Sequence, residues 1–151
     1  MSGFFALNFF RMLPRVRLNW LAVLVATAAN MVVGALWYGP ILGKPWMKAM
    51  GMDPNMTRTP EMKKMGSKAV SLMVPLAFLS AWVMAYMVDY TMATDAWGGL
   101  VTAFWIWVGF QLPIILQGRL FENKKMELIY INASYQLVAL CLQGVILAVW
   151  A

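Results

Sequence analysis

Long apolar runs separated by short polar segments are the dominant pattern of this chain. Four runs, at residues 18–40, 69–88, 96–117 and 128–150, contain no charged side chain. A helix of about 20 apolar residues is long enough to cross the hydrocarbon core of a bilayer. The pattern therefore predicts an all-α polytopic membrane protein whose four transmembrane helices form an antiparallel bundle.

Aromatic residues near the ends of these runs indicate where the helices meet the membrane surface. In the first run, Trp20 lies near one end and the pair Trp37-Tyr38 near the other, about 25 Å away along a helix. Trp and Tyr rings are enriched at membrane interfaces. We predict six interface anchors: Trp20, Trp37, Tyr38, Trp97, Tyr130 and Trp150.

The polar segments predict the connections. Gly and Pro interrupt residues 41–68, which we expect to form a loop with short helical pieces. The order Thr59-Pro60-Glu61 is typical of a helix start, with Pro at the first helical position. The brief acidic connection 89–95 should make the second and third helices antiparallel neighbours. Gly118–Glu127 forms the third loop.

Residues 1–17 differ from the rest and divide the chain into an N-terminal segment and a transmembrane domain at 18–151. The segment contains four Phe residues ahead of Arg11, an apolar stretch too short to span a bilayer. It also lacks the order of regions found in a signal peptide. We expect it to form a helix lying in the membrane interface.

Composition and charge support the membrane class. The chain has 151 residues, of which 62% are hydrophobic and 12% charged, and its mean hydropathy is +0.68. Its net charge of +6 comes from residues that flank apolar runs, so we expect no nucleic-acid partner. The first and third loops carry nine Lys and Arg residues against three elsewhere, which favours both termini outside, although Arg11, Arg15 and Arg17 oppose this orientation.

The polar residue inventory argues against an enzyme. The chain has no His, and its single cysteine, Cys141, lies within an apolar run. Its six carboxylates lie in loops or at helix ends, whereas proton-coupled transport commonly uses an acid inside the membrane. Paired carboxylates, nucleophile–base sets and phosphate-binding loops are missing as well. We expect no catalytic residue, no metal and no cofactor.

Two blocks of sequence resemble a known family. The first runs from Asn19-Trp20-Leu21-Ala22 to Trp37-Tyr38-Gly39-Pro40 and Gly43-Lys44-Pro45-Trp46. The second contains Gly109-Phe110, Pro113, Phe121-Glu122-Asn123 and residues 131–138. In order and spacing, from Asn19 to Trp150, they are similar to the small bacterial membrane proteins called domain of unknown function 1761. The resemblance implies a compact four-helix fold in the bacterial inner (plasma) membrane, with periplasmic termini under the orientation above, and no established activity.

Amide side chains at membrane depth form the candidate site: Asn30 on the first helix, and Asn132, Gln136 and Gln143 on the fourth. The three on the fourth helix share one face with Ala139. Asn30 continues a row of small residues, Ala22, Ala26 and Gly34, that permits close helix packing. Either the amides form an interhelical hydrogen-bond seam, which we favour, or they line a small polar cavity.

Aromatic residues of the third helix point in nearly all directions, so some must face lipid or another protein: Phe104, Trp105, Trp107 and Phe110. They could pack against lipid or offer a flat surface to a quinone, pigment, lipid or partner helix. Two function classes follow. The first is a non-catalytic accessory or assembly subunit that binds a larger membrane complex, lipids or a hydrophobic cofactor. The second is a homo-oligomeric channel or transporter for a small solute. Expected partners are the lipid bilayer and other membrane subunits or further copies of the chain.

Overall fold

The structure is a computed structural model that describes residues 18–55 and 59–150. Within the second range, residues 62, 63 and 65 are described by their backbone alone. The interfacial helix expected within residues 1–17 lies outside the described residues. The helices are, in chain order, α1 (Trp20–Leu36), α2 (Gly43–Ala49), α3 (Pro60–Tyr90), α4 (Ala96–Ile106), α5 (Leu112–Phe121) and α6 (Met126–Val149). Two π-helical turns, Trp37–Ile41 and Trp107–Gln111, extend α1 and join α4 to α5.

Four stretches of helix are long and apolar enough to cross a membrane: Trp20–Ile41, Gly66–Tyr90, Ala96–Phe121 and Met126–Val149. They contain most of each of the four apolar runs, which confirms the all-α membrane fold. We call them the first to fourth spans. The predicted third loop is shorter than expected, because the third span continues to Phe121 and the fourth begins at Met126. Helix α3 begins at Pro60, as the capping pattern predicts, and continues through Pro75. Its 31 residues extend about 46 Å, so its first turns project beyond the second span.

The fourth span, α6, is the centre of the bundle. It contacts α1, α3 and α4, and it is the most buried of the four spans. Small side chains dominate the core around it, including Ala26, Ala81 and Ala103, each completely buried. Small residues let helix backbones approach closely, which is how membrane helices gain packing energy without a hydrophobic driving force.

Proline accounts for the two π-helical turns. Pro40 has no amide hydrogen, and the Leu42 amide bonds to the Trp37 carbonyl five residues back, at 2.8 Å. In the third span, the Leu112 amide likewise bonds to the Trp107 carbonyl, just before Pro113. A proline ring clashes with the carbonyl four residues earlier, and a wider turn relieves that clash.

The closest approach of two helices is the crossing of α4 and α6 at Gly99 and Gly144. A Cβ atom added to either glycine would overlap the carbonyl oxygen of the other. Gly99 is near the start of α4, and Gly144 is near the end of α6. Just beyond α6, the Asn19 side-chain amide donates to the Trp150 carbonyl at 2.9 Å, which joins the start of the first span to the end of the fourth. The glycine crossing requires the backbones of α4 and α6 to touch, and the Asn19–Trp150 bond requires the ends of the first and fourth spans to meet. Together they fix the register of α6 against α4 and α1.

Candidate ligand-binding cleft

The buried amide of α1 is paired with a hydroxyl group of α6. The Tyr135 hydroxyl donates to Asn30 Oδ1 at 2.9 Å, and both residues are buried. The contact lies beside Gly34, where an added Cβ would come within 3.2 Å of the same hydroxyl. The first and fourth spans therefore meet at Asn30, but through a tyrosine and not through the amides expected from the sequence.

Asn132 also takes a hydroxyl partner. The Tyr38 hydroxyl donates to Asn132 Oδ1 at 2.9 Å, and the Tyr38 ring packs edge-on against that of Tyr135, with centroids 5.1 Å apart. Close by, the indole N–H groups of Trp37 and Trp107 donate to the carbonyls of Ile131 and Ala133, at 3.2 and 3.1 Å. Each of these tryptophans is the first residue of a π-helical turn, and both bond to the same turn of α6.

The third pair links α3 to α6. The Ser80 hydroxyl donates to Gln143 Oε1 at 3.1 Å, and Gln143 is completely buried. Among the described residues, the Gln143 amide nitrogen has no partner. Gln136 is only half-buried and makes no side-chain hydrogen bond within the described part of the chain. Three of the four candidate residues are therefore paired at two contacts, first span with fourth span and second span with fourth span, and none of the four lines either part of the cleft described below.

The predicted interface anchors fall into two groups. Trp20, Trp97, Tyr130 and Trp150 lie near span ends and are 45–70% exposed. Trp37 and Tyr38 are half-buried and bonded to α6, a contact that the pattern of apolar residues does not reveal. Anchoring of the six residues in a membrane interface stays a prediction.

A long cleft separates the second span from the third, on the side where α3 and α4 have few contacts. Its inner part, with a volume of about 470 Å³, is lined mainly by apolar side chains of α3, the third span and Leu140. Ser80 and Gln111 add polar groups there. An outer part of about 550 Å³ lies at the 89–95 loop. Met87, Ile106 and Phe110 line both parts, so the two adjoin along these side chains.

The outer part has a more polar and aromatic wall. Thr91 and Thr102 face it with their hydroxyl oxygens 2.8 Å apart, a contact that joins α3 to α4. Asp95 caps α4 by accepting from the Gly98 amide at 2.7 Å. Trp97 and Trp105, which are 70% and 65% exposed, flank the opening. The cleft therefore runs from a polar mouth at one membrane surface to an apolar interior.

Sequence reasoning identified the cleft only in part. It predicted outward-facing aromatic residues in the third span, and Phe104, Trp105 and Phe110 are indeed exposed. It missed the contribution of α3, because Ser80 and Met87 have no distinguishing pattern in the sequence. Within residues 18–55 and 59–150, no group of three or more His, Cys, Asp or Glu side chains could hold a metal ion. The chemistry the cleft offers is apolar contact, hydrogen bonding and, in its outer part, the carboxylate of Asp95.

Comparison with known proteins gives a family without an assigned activity. No curated protein and no solved structure matches the chain. A family model described as a protein of unknown function matches residues 21–148, which include all four spans except their extreme ends. The match covers the second sequence block and all of the first except Asn19 and Trp20. The chain therefore belongs to the DUF1761 family.

Proposed function

We propose that this chain is a non-catalytic accessory protein of the membrane that binds the hydrocarbon chain of a lipid or lipid-like cofactor in the cleft between α3 and the third span. The adjacency of the two parts of the cleft carries this proposal, because Met87, Ile106 and Phe110 line both. Each part has a volume typical of small-molecule sites, and the inner part has the mostly apolar wall with a few polar groups that such sites share.

The position of the cleft supports an occupant that arrives from the bilayer. Leu76, Leu79 and Val83 line it and are 45–58% exposed, on helix faces that would otherwise contact lipid. Apolar surface alone does not select a ligand inside hydrocarbon, because the lipid tails are equally apolar. Selectivity would come from the shape of the cleft and from Ser80 and Gln111 in its wall.

The alternative of a channel or transporter requires a polar passage. Asn30, Asn132 and Gln143 accept hydrogen bonds from Tyr135, Tyr38 and Ser80 between packed helices. Amides held in this way stabilise the bundle and offer little to a passing solute. The binding function is therefore the better supported of the two.

Filling the cleft tests the proposal. We expect the protein extracted in mild detergent to retain a chain-bearing molecule, detected by native mass spectrometry, and Val83→Trp to lose it because the indole occupies the inner cleft. The matched control is Val32→Trp, at an exposed position on α1 outside the cleft. Retention by both variants, or loss by both, would contradict the proposal. Foreign subunits in the same spectra would support an accessory role, and a homo-oligomer without bound molecules would favour transport.

A further inference from the structure

We infer that the occupant of the cleft carries a positively charged ammonium headgroup, which binds at the outer mouth between Asp95 and the rings of Trp97 and Trp105. This inference rests on the proposed function and adds the chemical class of the ligand: a cationic amphiphile with one hydrocarbon chain in the inner cleft. Three features of the mouth support it.

The first feature is charge. Among the described side chains, every Lys and Arg lies in residues 44–68 or 119–125, at the opposite end of the bundle from the 89–95 loop. The charged side chains described at the mouth end are Asp89 and Asp95, and Asp95 lines the cleft. One Asp95 carboxylate oxygen accepts from the Gly98 amide, so the carboxylate is held at the opening. An anionic headgroup would meet repulsion there, whereas an ammonium group would meet a fixed opposite charge.

The second feature is the aromatic wall. Trp97 and Trp105 both line the mouth and leave most of their indole surface exposed. Indole faces attract cations, and recognition of quaternary ammonium groups by aromatic side chains is the best-known use of that attraction. Trp is also the strongest of the aromatic residues in this respect.

The third feature is the path from the mouth to the interior. Met87, Ile106 and Phe110 border both parts of the cleft, so a chain attached to a headgroup at Asp95 would lie along these three side chains to reach the inner part. The wall becomes less polar along that path, from the Thr91–Thr102 pair to the leucines of α3. An amphiphile matches this gradient, whereas a purely apolar molecule would make no polar contact at the mouth.

The test uses the full chain in a neutral maltoside detergent, titrated with dodecyltrimethylammonium and, separately, with the sulfonate-headed amphiphile of equal chain length. The readout is the apparent Kd from the titrated rise in melting temperature. We expect the melting temperature of the protein to rise saturably with the ammonium probe and not with the sulfonate probe. Asp95→Asn should raise the apparent Kd of the ammonium probe by about fivefold or more, because the substitution removes the charge. The helix keeps its cap, since Asn caps helices as Asp does.

Asp89→Asn is the matched control, since it removes the same charge at the same end from a residue that does not line the cleft. It should leave the Kd unchanged. Equal weakening by both variants, or equal binding of the two probes, would overturn the headgroup inference. Val83→Trp separates the two proposals. If it weakens binding while Asp95→Asn does not, the cleft binds chains without selecting ammonium. If it has no effect, the probe is not in the cleft and the proposed function fails with it.

Discussion

At the scale of single residues, hydroxyl groups supply the partners of the buried amides. Asn30, Asn132 and Gln143 each accept from a Tyr or Ser of a different helix. A polar group left unpaired in hydrocarbon is costly, so each pair stabilises one arrangement of helices over others. The sequence identified Asn30, Asn132 and Gln143 as candidates for a seam. It could not give their partners, because those depend on the rotation and register of each helix.

We predict that Tyr135→Phe lowers the free energy of unfolding by about 1 kcal/mol, the contribution of one interhelical hydrogen bond. Asn30→Leu should cost about 1 to 3 kcal/mol, because it removes the same bond and adds bulk where α1 and α6 are close. Asn30→Ala should cost less than Asn30→Leu. Thermal or denaturant unfolding in detergent measures these changes.

Tyr130→Phe is the control for that prediction. Tyr130 lies on the same helix as Tyr135 and is 66% exposed, and its hydroxyl has no described partner. A double-mutant cycle of Asn30→Ala with Tyr135→Phe should give a coupling energy of at least about 0.5 kcal/mol. Strict additivity of the two changes would show that the hydrogen bond contributes nothing to stability.

At the scale of helices, apolar patterning predicted the four spans and the start of α3, because these depend on local sequence. The π-helical turns were not predicted, although Pro40 and Pro113 mark where they occur. Trp37 was interpreted only as an interface anchor, whereas its indole N–H donates to the Ile131 carbonyl of α6. The contact of Gly99 with Gly144 was likewise missed. Two glycines 45 residues apart in the chain show no pairing until the helices are placed.

We predict that Gly144→Ala destabilises the bundle by about 1 to 3 kcal/mol, because its methyl group forces α4 away from α6. Gly109→Ala is the control. It lies in the third span, where an added Cβ would meet nothing within 4 Å, and should change stability by less than about 0.5 kcal/mol. The melting temperatures of the two variants in detergent make the comparison, and equal values would contradict a tight crossing.

At the scale of the whole molecule, the Lys and Arg residues that the structure describes are confined to one end of the bundle. The described Lys and Arg residues lie at the end formed by the first and third loops, and the acidic 89–95 loop lies at the other. Cytoplasmic loops carry an excess of Lys and Arg. The basic end is therefore predicted to face the cytoplasm.

Labelling of single cysteines in intact cells tests this orientation. In a Cys141→Ala background, Thr94→Cys should react with an impermeant maleimide, and Asn123→Cys should react only after the membrane is opened. Both positions are exposed, and neither replacement removes a charge. Protection of Thr94→Cys with labelling of Asn123→Cys would mean that Arg11, Arg15 and Arg17 determine the orientation instead.

The central place of α6 has a consequence for the synthesis of the protein. The Asn30 amide gains its hydrogen-bond partner only after Tyr135, which is 105 residues later in the chain, has been synthesised. At about 5–20 residues per second, that interval is on the order of 5 to 20 s. During it, α1 is inserted with an unpaired amide, and α3 with a serine whose Gln143 partner has not yet been made. The first three spans must therefore remain loosely associated, or be sheltered by the insertion machinery, until the fourth completes their polar contacts.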